Sequence, residues 1–437
     1  MLYSRNLPEN REYDIIVAGG GPAGCAAAAA AGREGKRVLL IESEGCLGGM
    51  GTAGLVPAWA PFSDREKVIY RGIALDVLKK AGLGLSPVRP EDAWNWVAID
   101  AETLKRVYDE LMEENGVDVL FHSSVCDVLA ENGRVKGLIV SNKAGLTAYL
   151  APVFVDGTGD ADLAFRSGAE TVCGGKAGQV QPSTLCFTLA NVNEEMYPSK
   201  GNMHPTSPTT KAFDMMADEK YPLIVDKHIC LSWIGDGVVG FNAGHVFDVD
   251  STDPVSVGKG EMLGRKLAKE ERDALAEHCP EVYGKARLVA TAPKLGVRES
   301  RRIVGDYVLT REDYLARRSF PDEIGRNCYY LDTHGPRDEE EKPKDTSVEH
   351  RYAPGESHGI PYRCLLPKGV DNLLVAGRCL STDRAVQGSI RVMPTCLVTG
   401  EAAGVAAAMA VDAGGAVRAV DVTRLRDRLR EVGAYFE

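Results

Sequence analysis

The apolar positions change period along the chain, and each change marks an element. Residues 14–18 (DIIVA) are a β-branched run, GGGPAG follows, alanine dominates to Ala31, and RVLLIE occupies 37–42. This succession predicts strand, tight turn, helix, strand: a βαβ unit. Alanine across 26–31 favours the helix and lets it lie close on a sheet, because no side chain extends beyond a methyl group. Farther on, Asp100 is placed to cap a helix whose Leu104, Val107, Tyr108, Leu111 and Met112 share one face, with Gly116 after its end. The runs VDVLF, SSVCDVLA, GRVKGLIVS and LTAYLAPVFVDGTG then predict a strand, a β-meander turned at ENG (131–133) and NKAG (142–145), and a further buried strand. Near the end, NLLVAGR (372–378) reads as a buried strand and TCLVTGEAAGVAAAMAV (395–411) as a second small-residue helix. Segments 196–212 and 337–351 are expected as exposed loops, the first rich in Pro, Ser and Thr, the second in charge.

At 437 residues the chain exceeds the usual size of one hydrophobic core, so two interleaved domains, or one domain with a large insertion, are expected. A content of 44% hydrophobic and 26% charged residues argues against wholesale disorder and against a membrane bundle. The net charge of -11 would repel a phosphate backbone, so nucleic acid is not an expected partner. The opening MLYSRNLPENREYD is charged and broken by Pro8, and no uninterrupted apolar run reaches membrane-spanning length. A cytoplasmic protein without a membrane partner is therefore expected. Eleven cysteines include no C-x-x-C pair, which fits neither a disulfide framework nor a zinc cage, and no metal site is expected.

In Gly19-x-Gly21-x-x-Gly24 the first glycine permits the tight turn, the second lets backbone approach a pyrophosphate, and the third allows close helix–sheet packing. The helix N-terminus then presents unpaired N–H groups to the phosphates, and Glu42, eighteen residues after Gly24, is placed to accept from ribose hydroxyls. A second match, Gly235-x-Gly237-x-x-Gly240, is followed by FNAGHVFDVD and by no acid-terminated strand, so it reads as a turn between strands. No separate nicotinamide domain is evident. NAD and FAD share the ADP half, so the choice rests on segments elsewhere. VFVDGTGDADLA places Gly157 and Gly159 at a strand end, and VAGR (375–378) with RVMPTCLVTGEAAG (391–404) brings a second helix N-terminus to the same sheet.

These segments, with the LGGMGT loop at 47–52, LGVRESRRIVGDYVLT at 295–310, FPDEI at 320–324, LDTHGP at 331–336, IPYRCLLPKGVDNLLVAGR at 360–378 and GSIRVMPTC at 388–396, resemble the glutathione-reductase-like FAD superfamily. Within it the resemblance is to FAD-dependent oxidoreductases related to fumarate reductase flavoproteins and, more distantly, to thiazole-biosynthesis proteins. It implies an α/β fold: a Rossmann-like FAD-binding domain with a parallel sheet, helices and a β-meander (1–165 and 356–437), and an inserted α+β substrate domain (166–355). It implies FAD contacts at Gly19, Gly21, Pro22, Ala23, Gly24, Glu42, Ser43, Gly48, Gly49, Met50, Thr52 and Val125. Further contacts are implied at Gly157, Thr158, Gly159, Asp160, Gly377, Arg378, Met393, Pro394, Thr395 and Cys396. Succinate dehydrogenases and fumarate reductases carry a histidine before this loop that binds the ring covalently; EGCLGGMG lacks it, so non-covalent FAD is expected. Cys46 and Cys396 read as packing residues, with a thioether anchor or redox thiol as the alternative.

Flavin chemistry asks the protein for an acid or base, cations that orient substrate, and exclusion of water. The candidates are Arg298, Arg301 and Arg302 in VRESRR, His334 in DTHGP, His245 in NAGH, Arg363 in IPYR and Arg391 in SIRVMP. Arg298 and Arg302 would share a face if this segment were helical, and Glu299 with Arg302 equally suits a helical ion pair. Several buried guanidinium groups without anionic partners would be costly, which favours a site role for Arg298 or Arg301. His122, His204, His228, His278, His350 and His358 have no supporting context. The expected function is hydride transfer between flavin N5 and a small polar substrate, with an unidentified electron donor or acceptor as second partner. The alternatives are an NAD(P)H-dependent flavin monooxygenase, or a non-enzymatic or RNA-modifying FAD protein.

Overall fold

The computed structural model describes residues 4–82, 94–175, 178–204, 207–208, 210–335 and 351–436. The expected loop at 337–351 lies outside them except for Arg351; in the other expected loop, Tyr197–Lys200 form one helical turn. The βαβ unit is β1 (Ile15–Ala18), α1 (Pro22–Arg33) and β2 (Val38–Ile41). Asp100 caps α2 (Ala101–Glu114), accepting from the N–H groups of Glu102 and Thr103, and β3 (Val117–Leu120) follows. Next come β4 (Ser124–Glu131), β5 (Arg134–Asn142), β6 (Gly145–Leu150) and β7 (Val153–Asp156).

The middle of the chain supplies β8 (Phe187–Ala190), β9 (Ile229–Gly235), β10 (Val238–Ala243), the long helix α3 (Pro254–His278) and β11 (Arg287–Thr291). The chain returns through β12 (Leu373–Val375), α4 (Met393–Asp412) and α5 (Val422–Glu431).

The central sheet is parallel, in the order β12–β7–β1–β2–β3. Its strands β1, β2 and β12 are continuous buried apolar runs because helices or the meander cover both faces, whereas the edge strand β3 carries exposed Asp118. The antiparallel meander β4–β5–β6 packs Val128, Val135, Leu138 and Val140 against one face. A second antiparallel sheet, β9–β10–β8–β11, forms a core of its own with α3, in which Phe187 and Phe241 stack at 4.9 Å. The β9–β10 connection is the second glycine match, here a strand-to-strand turn with Gly237 at φ +66°.

Helices α1 and α4 lie backbone to backbone on the sheet. A Cβ on Gly400 would stand 2.1 Å from the carbonyl of Ala23, and one on Gly404 would stand 2.2 Å from that of Ala27. Helix α4 is long and apolar enough to cross a membrane by composition, yet 89% of its apolar window is buried inside the protein.

Arg301–Ile303 pair antiparallel with Thr171–Cys173, so the condition under which Arg298 and Arg302 would share a helix face is not met. The arginines of this segment therefore point in different directions instead of sharing a helix face.

Gly404→Ala should lower unfolding free energy by about 1–3 kcal/mol in urea titration, because backbone cannot yield as a side chain can. Gly258→Ala on α3, where a Cβ would meet nothing within 4 Å, should be neutral or stabilising by up to about 1 kcal/mol. Equal effects would contradict the close-packing account.

Candidate functional site: a dinucleotide cleft opening on an arginine and histidine cavity

At the C-terminal edge of the parallel sheet the tips of α1 and α4 face a cavity of about 390 Å³. Helices α2, α3 and α5 each have an aspartate cap, whereas α1 and α4 have no side-chain cap and no acid in the first turn. Their free N–H groups and positive dipole ends are left for a ligand. Gly19 holds φ +89° and a Cβ there would meet Gly157 at 2.7 Å, while a Cβ on Gly21 would meet no atom within 4 Å, so backbone is open to close approach at that point. The sites fit a pyrophosphate-bearing dinucleotide.

Gly19, Gly21, Pro22, Ala23, Glu42, Ser43, Gly49, Met50, Val125 and Gly157 line the cleft, as do Thr158, Gly159, Asp160, Gly377, Arg378, Met393 and Cys396. Gly24, Gly48, Thr52, Pro394 and Thr395 do not. A Cβ on Gly24 would collide with the Gly19 carbonyl at 1.8 Å, and Gly48 sits at φ +98° against Thr52 and Tyr108. Thr52 donates to the Leu47 carbonyl at 2.5 Å, Thr395 donates to Asn327 at 2.8 Å, and Pro394 occupies the first turn of α4. These five shape the wall from behind. Glu42 does more than border the cleft: its carboxylate accepts from the Gly20 N–H at 2.6 Å and the Glu44 N–H at 2.8 Å, bracing the first turn. The Cys396 thiol is pushed up to about 12 by burial, so it stays protonated and packs.

The loop after β7 is tied down from three sides. Buried Asp156 accepts from the Thr158 N–H, the Thr158 hydroxyl and the Ala164 N–H. Arg378 donates to the Gly159 carbonyl at 2.8 Å and to Asp160 at 2.6 Å. Arg301 donates to the Asp160 carbonyl at 2.9 Å and pairs with Asp162. Arg301 therefore positions this loop and lines neither cavity, contrary to its expected catalytic place.

A second cavity of about 250 Å³ adjoins the first, with Met50, Val297, Arg378, Arg391 and Met393 lining both. Arg298, Arg391, His334, Asp332 and His228 face it, with Cys230 and Asn242 from β9 and β10. The arginines are partnered very differently. Arg302 pairs with buried Glu299 at 3.1 Å. Arg391 donates to Asp332 at 2.9 Å, and its Nε is buried without a partner. Arg298 donates only to neutral acceptors, the Pro182 carbonyl and the Thr184 hydroxyl at 2.8 Å and His228 Nε2 at 3.5 Å, and among the described residues it forms no ion pair. Burial, with Arg391 nearby, lowers Arg298 to about 10, so it remains cationic at neutral pH. Arg363 is a correction: it pairs with Asp322 at 2.8 Å and lines neither cavity.

His245 hydrogen-bonds Asp226 at 2.9 Å through Nδ1 and stacks on His228, ring centroids 4.4 Å apart; His334 stands edge-on to both at 4.9 and 5.2 Å. Burial, reinforced by Arg298, lowers His334 to about 4 and His228 well below its usual value, so both rings are neutral. Burial would raise Asp332, but the His334 hydrogen bond and the Arg391 guanidinium outweigh it and hold this carboxyl well below the carboxylate range. His228 and Asp332 were missed as candidates. A signal for His228 lay in its place just before β9, two residues ahead of Cys230, which stands opposite Asn242.

A family profile described as FAD dependent oxidoreductase matches residues 14–429. The chain belongs to the FAD dependent oxidoreductase family. Its cofactor is FAD, and the uncapped helix tips with the open backbone at Gly21 suit that molecule.

Among curated relatives, a digeranylgeranylglycerophospholipid reductase of Methanoculleus marisnigri is 31% identical over 170 residues, 37% of this chain and 42% of that protein. A thiamine thiazole synthase of Aeropyrum pernix is 28% identical over 212 residues, 46% of this chain and 72% of that one. The chain thus spans under half of the first relative's length. A solved geranylgeranyl bacteriochlorophyll reductase-like protein of Thermoplasma acidophilum has TM-score 0.49 at 14% identity, over 97% of this chain and 83% of that one.

Glu42→Ala should weaken FAD affinity at least tenfold in titrations of deflavinated protein, with Glu42→Gln intermediate because it keeps one acceptor oxygen. Unchanged affinity in Glu42→Ala would contradict the bracing role. Asp156, desolvated by burial, is raised to about 6. Below pH 6 the folded state holds a proton that the unfolded chain releases above about 4, so this group stabilises most at low pH and the contribution is lost as pH rises through 6. Relative to Asp156→Asn, the natural protein should gain up to about 3 kcal/mol in stability between pH 7 and pH 4. A pH-independent difference would be evidence against it.

Proposed function

We propose that this flavoenzyme is of the dehydrogenase or reductase type, exchanging two electrons between FAD and a small polar substrate held in the second cavity. Bound FAD supplies hydride exchange at its N5. The reading is carried by Arg298: a buried guanidinium with only neutral partners faces a cavity continuous with the cofactor cleft. Such a group is costly unless an anion completes it, so the substrate carries a carboxylate or comparable anionic group. Arg391, half neutralised by Asp332, orients a second polar atom, and the neutral imidazoles beside them present lone pairs and N–H groups. β9 and β10 supply part of the wall of this space through Cys230 and Asn242. Kinship with fumarate reductase flavoproteins, carried by the 295–310 and 388–396 segments, belongs to the same proposal.

The test is anaerobic bleaching of the bound flavin by hydroxy acids, amino acids, amines, polyols and NAD(P)H. Small acids should bleach it fastest, and Arg298→Met should keep its flavin yet slow that reduction by about 10- to 100-fold, the worth of one charge-assisted hydrogen bond. Undiminished reduction in Arg298→Met would remove it from the site. Fast NAD(P)H oxidation with oxygen insertion would instead establish the monooxygenase.

A further inference from the structure

The three histidines beside the second cavity have a feature that substrate orientation leaves unexplained. His228 Nδ1 and His245 Nε2 are both buried and neither has a hydrogen-bond partner. The His245 side chain is only 10% exposed. One nitrogen from each of His228, His245 and His334 lies within 4.8 Å of the others. We propose that these three imidazoles form a binding site for a divalent transition ion of the zinc type.

Three observations bear on the site. The ring centroids lie 4.4 to 5.2 Å apart, and His228 stacks on His245 with planes 22° apart, so one of these two rings turns about its Cβ–Cγ bond for both in-plane lone pairs to meet one ion. With metal–nitrogen bonds near 2.0–2.1 Å, ligand nitrogens of a tetrahedral shell stand roughly 3.3 Å apart, so each ring closes by under about 1 Å. Carboxylates stand behind two of the rings: Asp226 takes the Nδ1 hydrogen of His245, leaving Nε2 as lone pair, and Asp332 lies 3.3 Å from His334 Nε2, leaving Nδ1. Carboxylate–histidine pairs of this kind fix tautomer and ring orientation at metal centres.

Arg298 donates towards His228 Nε2 at 3.5 Å, so His228 binds an ion through Nδ1 once that contact is released and the ring proton sits on Nε2; the guanidinium also opposes a dication, which Asp226 and Asp332 together offset. Three protein nitrogens leave a fourth position open, as in catalytic zinc sites. His228 and His334 line the cavity, so that position falls where a substrate hydroxyl or carbonyl oxygen would sit. This last step rests on the redox reading; metal binding does not.

The holoenzyme, stripped with chelator and dialysed against Zn²⁺ or Co²⁺, should retain one ion per chain by elemental analysis, with Co²⁺ giving tetrahedral ligand-field bands. His228→Gln/His245→Gln should lose that ion at unchanged flavin content, while His278→Gln, paired with Asp218 elsewhere, should keep it. Should the double variant fail to retain flavin, Asp226→Asn decides: it keeps all three ligands and should weaken the ion by about 10- to 100-fold. Flavin-loaded natural protein that takes up no ion, or variants that bind as tightly as it does, would overturn the proposal. Because uptake is read without turnover, its failure leaves the flavin reading standing, and a failed bleaching experiment leaves the metal site standing.

Discussion

The contact on which the structure depends is the one between α1 and α4. Each helix begins at the same edge of the parallel sheet, and each is narrow enough for its partner's backbone to touch it, because glycine and alanine leave almost nothing between them. Bulkier residues at Gly400 or Gly404 would separate the helices and turn their N-termini apart. As built, two positive helix ends converge on one cleft, and neither is satisfied by a side chain of the protein itself. Packing and cofactor recognition are thus one constraint: the small residues that bury the core also aim the dipoles.

A division of labour among arginines follows from where the carboxylates lie. Arg301 and Arg378 are consumed by Asp162 and Asp160 and hold the glycine loop after β7. Arg302 and Arg384 are consumed by Glu299. Arg391 is shared with Asp332. Arg298 alone of this group meets only neutral acceptors, and it faces the second cavity. Buried charge with no internal counter-ion is where a ligand's charge has the largest effect, since little water is present to screen it.

Legibility from sequence followed the range of the interactions. The βαβ unit, the Asp100-capped helix, the meander and the last small-residue helix could be read because each is set by local period, caps and turn residues. The glycine fingerprint was legible because backbone sterics write directly into residue type. The close packing read for Gly24 is what its neighbours impose, whereas Gly48 and Thr395, read as contacts, stand behind the cleft wall, since a short motif shows which residue is required and not which neighbour requires it. The substrate side was harder. Arg363 and Arg301 could be told from Arg298 only through Asp322 and Asp162, 41 and 139 residues away. His228 joins His245 and His334 through sheet pairing and loop packing that no local pattern encodes.

The central claim is that both helix tips grip the same cofactor, and backbone hydrogen exchange tests it most directly. The amides of Gly21, Ala23 and Gly24 and those of Met393, Thr395 and Cys396, compared between FAD-loaded and deflavinated protein, should both slow when FAD is present. Protection confined to 21–24, with 393–396 exchanging at equal rates in the two forms, would contradict the account.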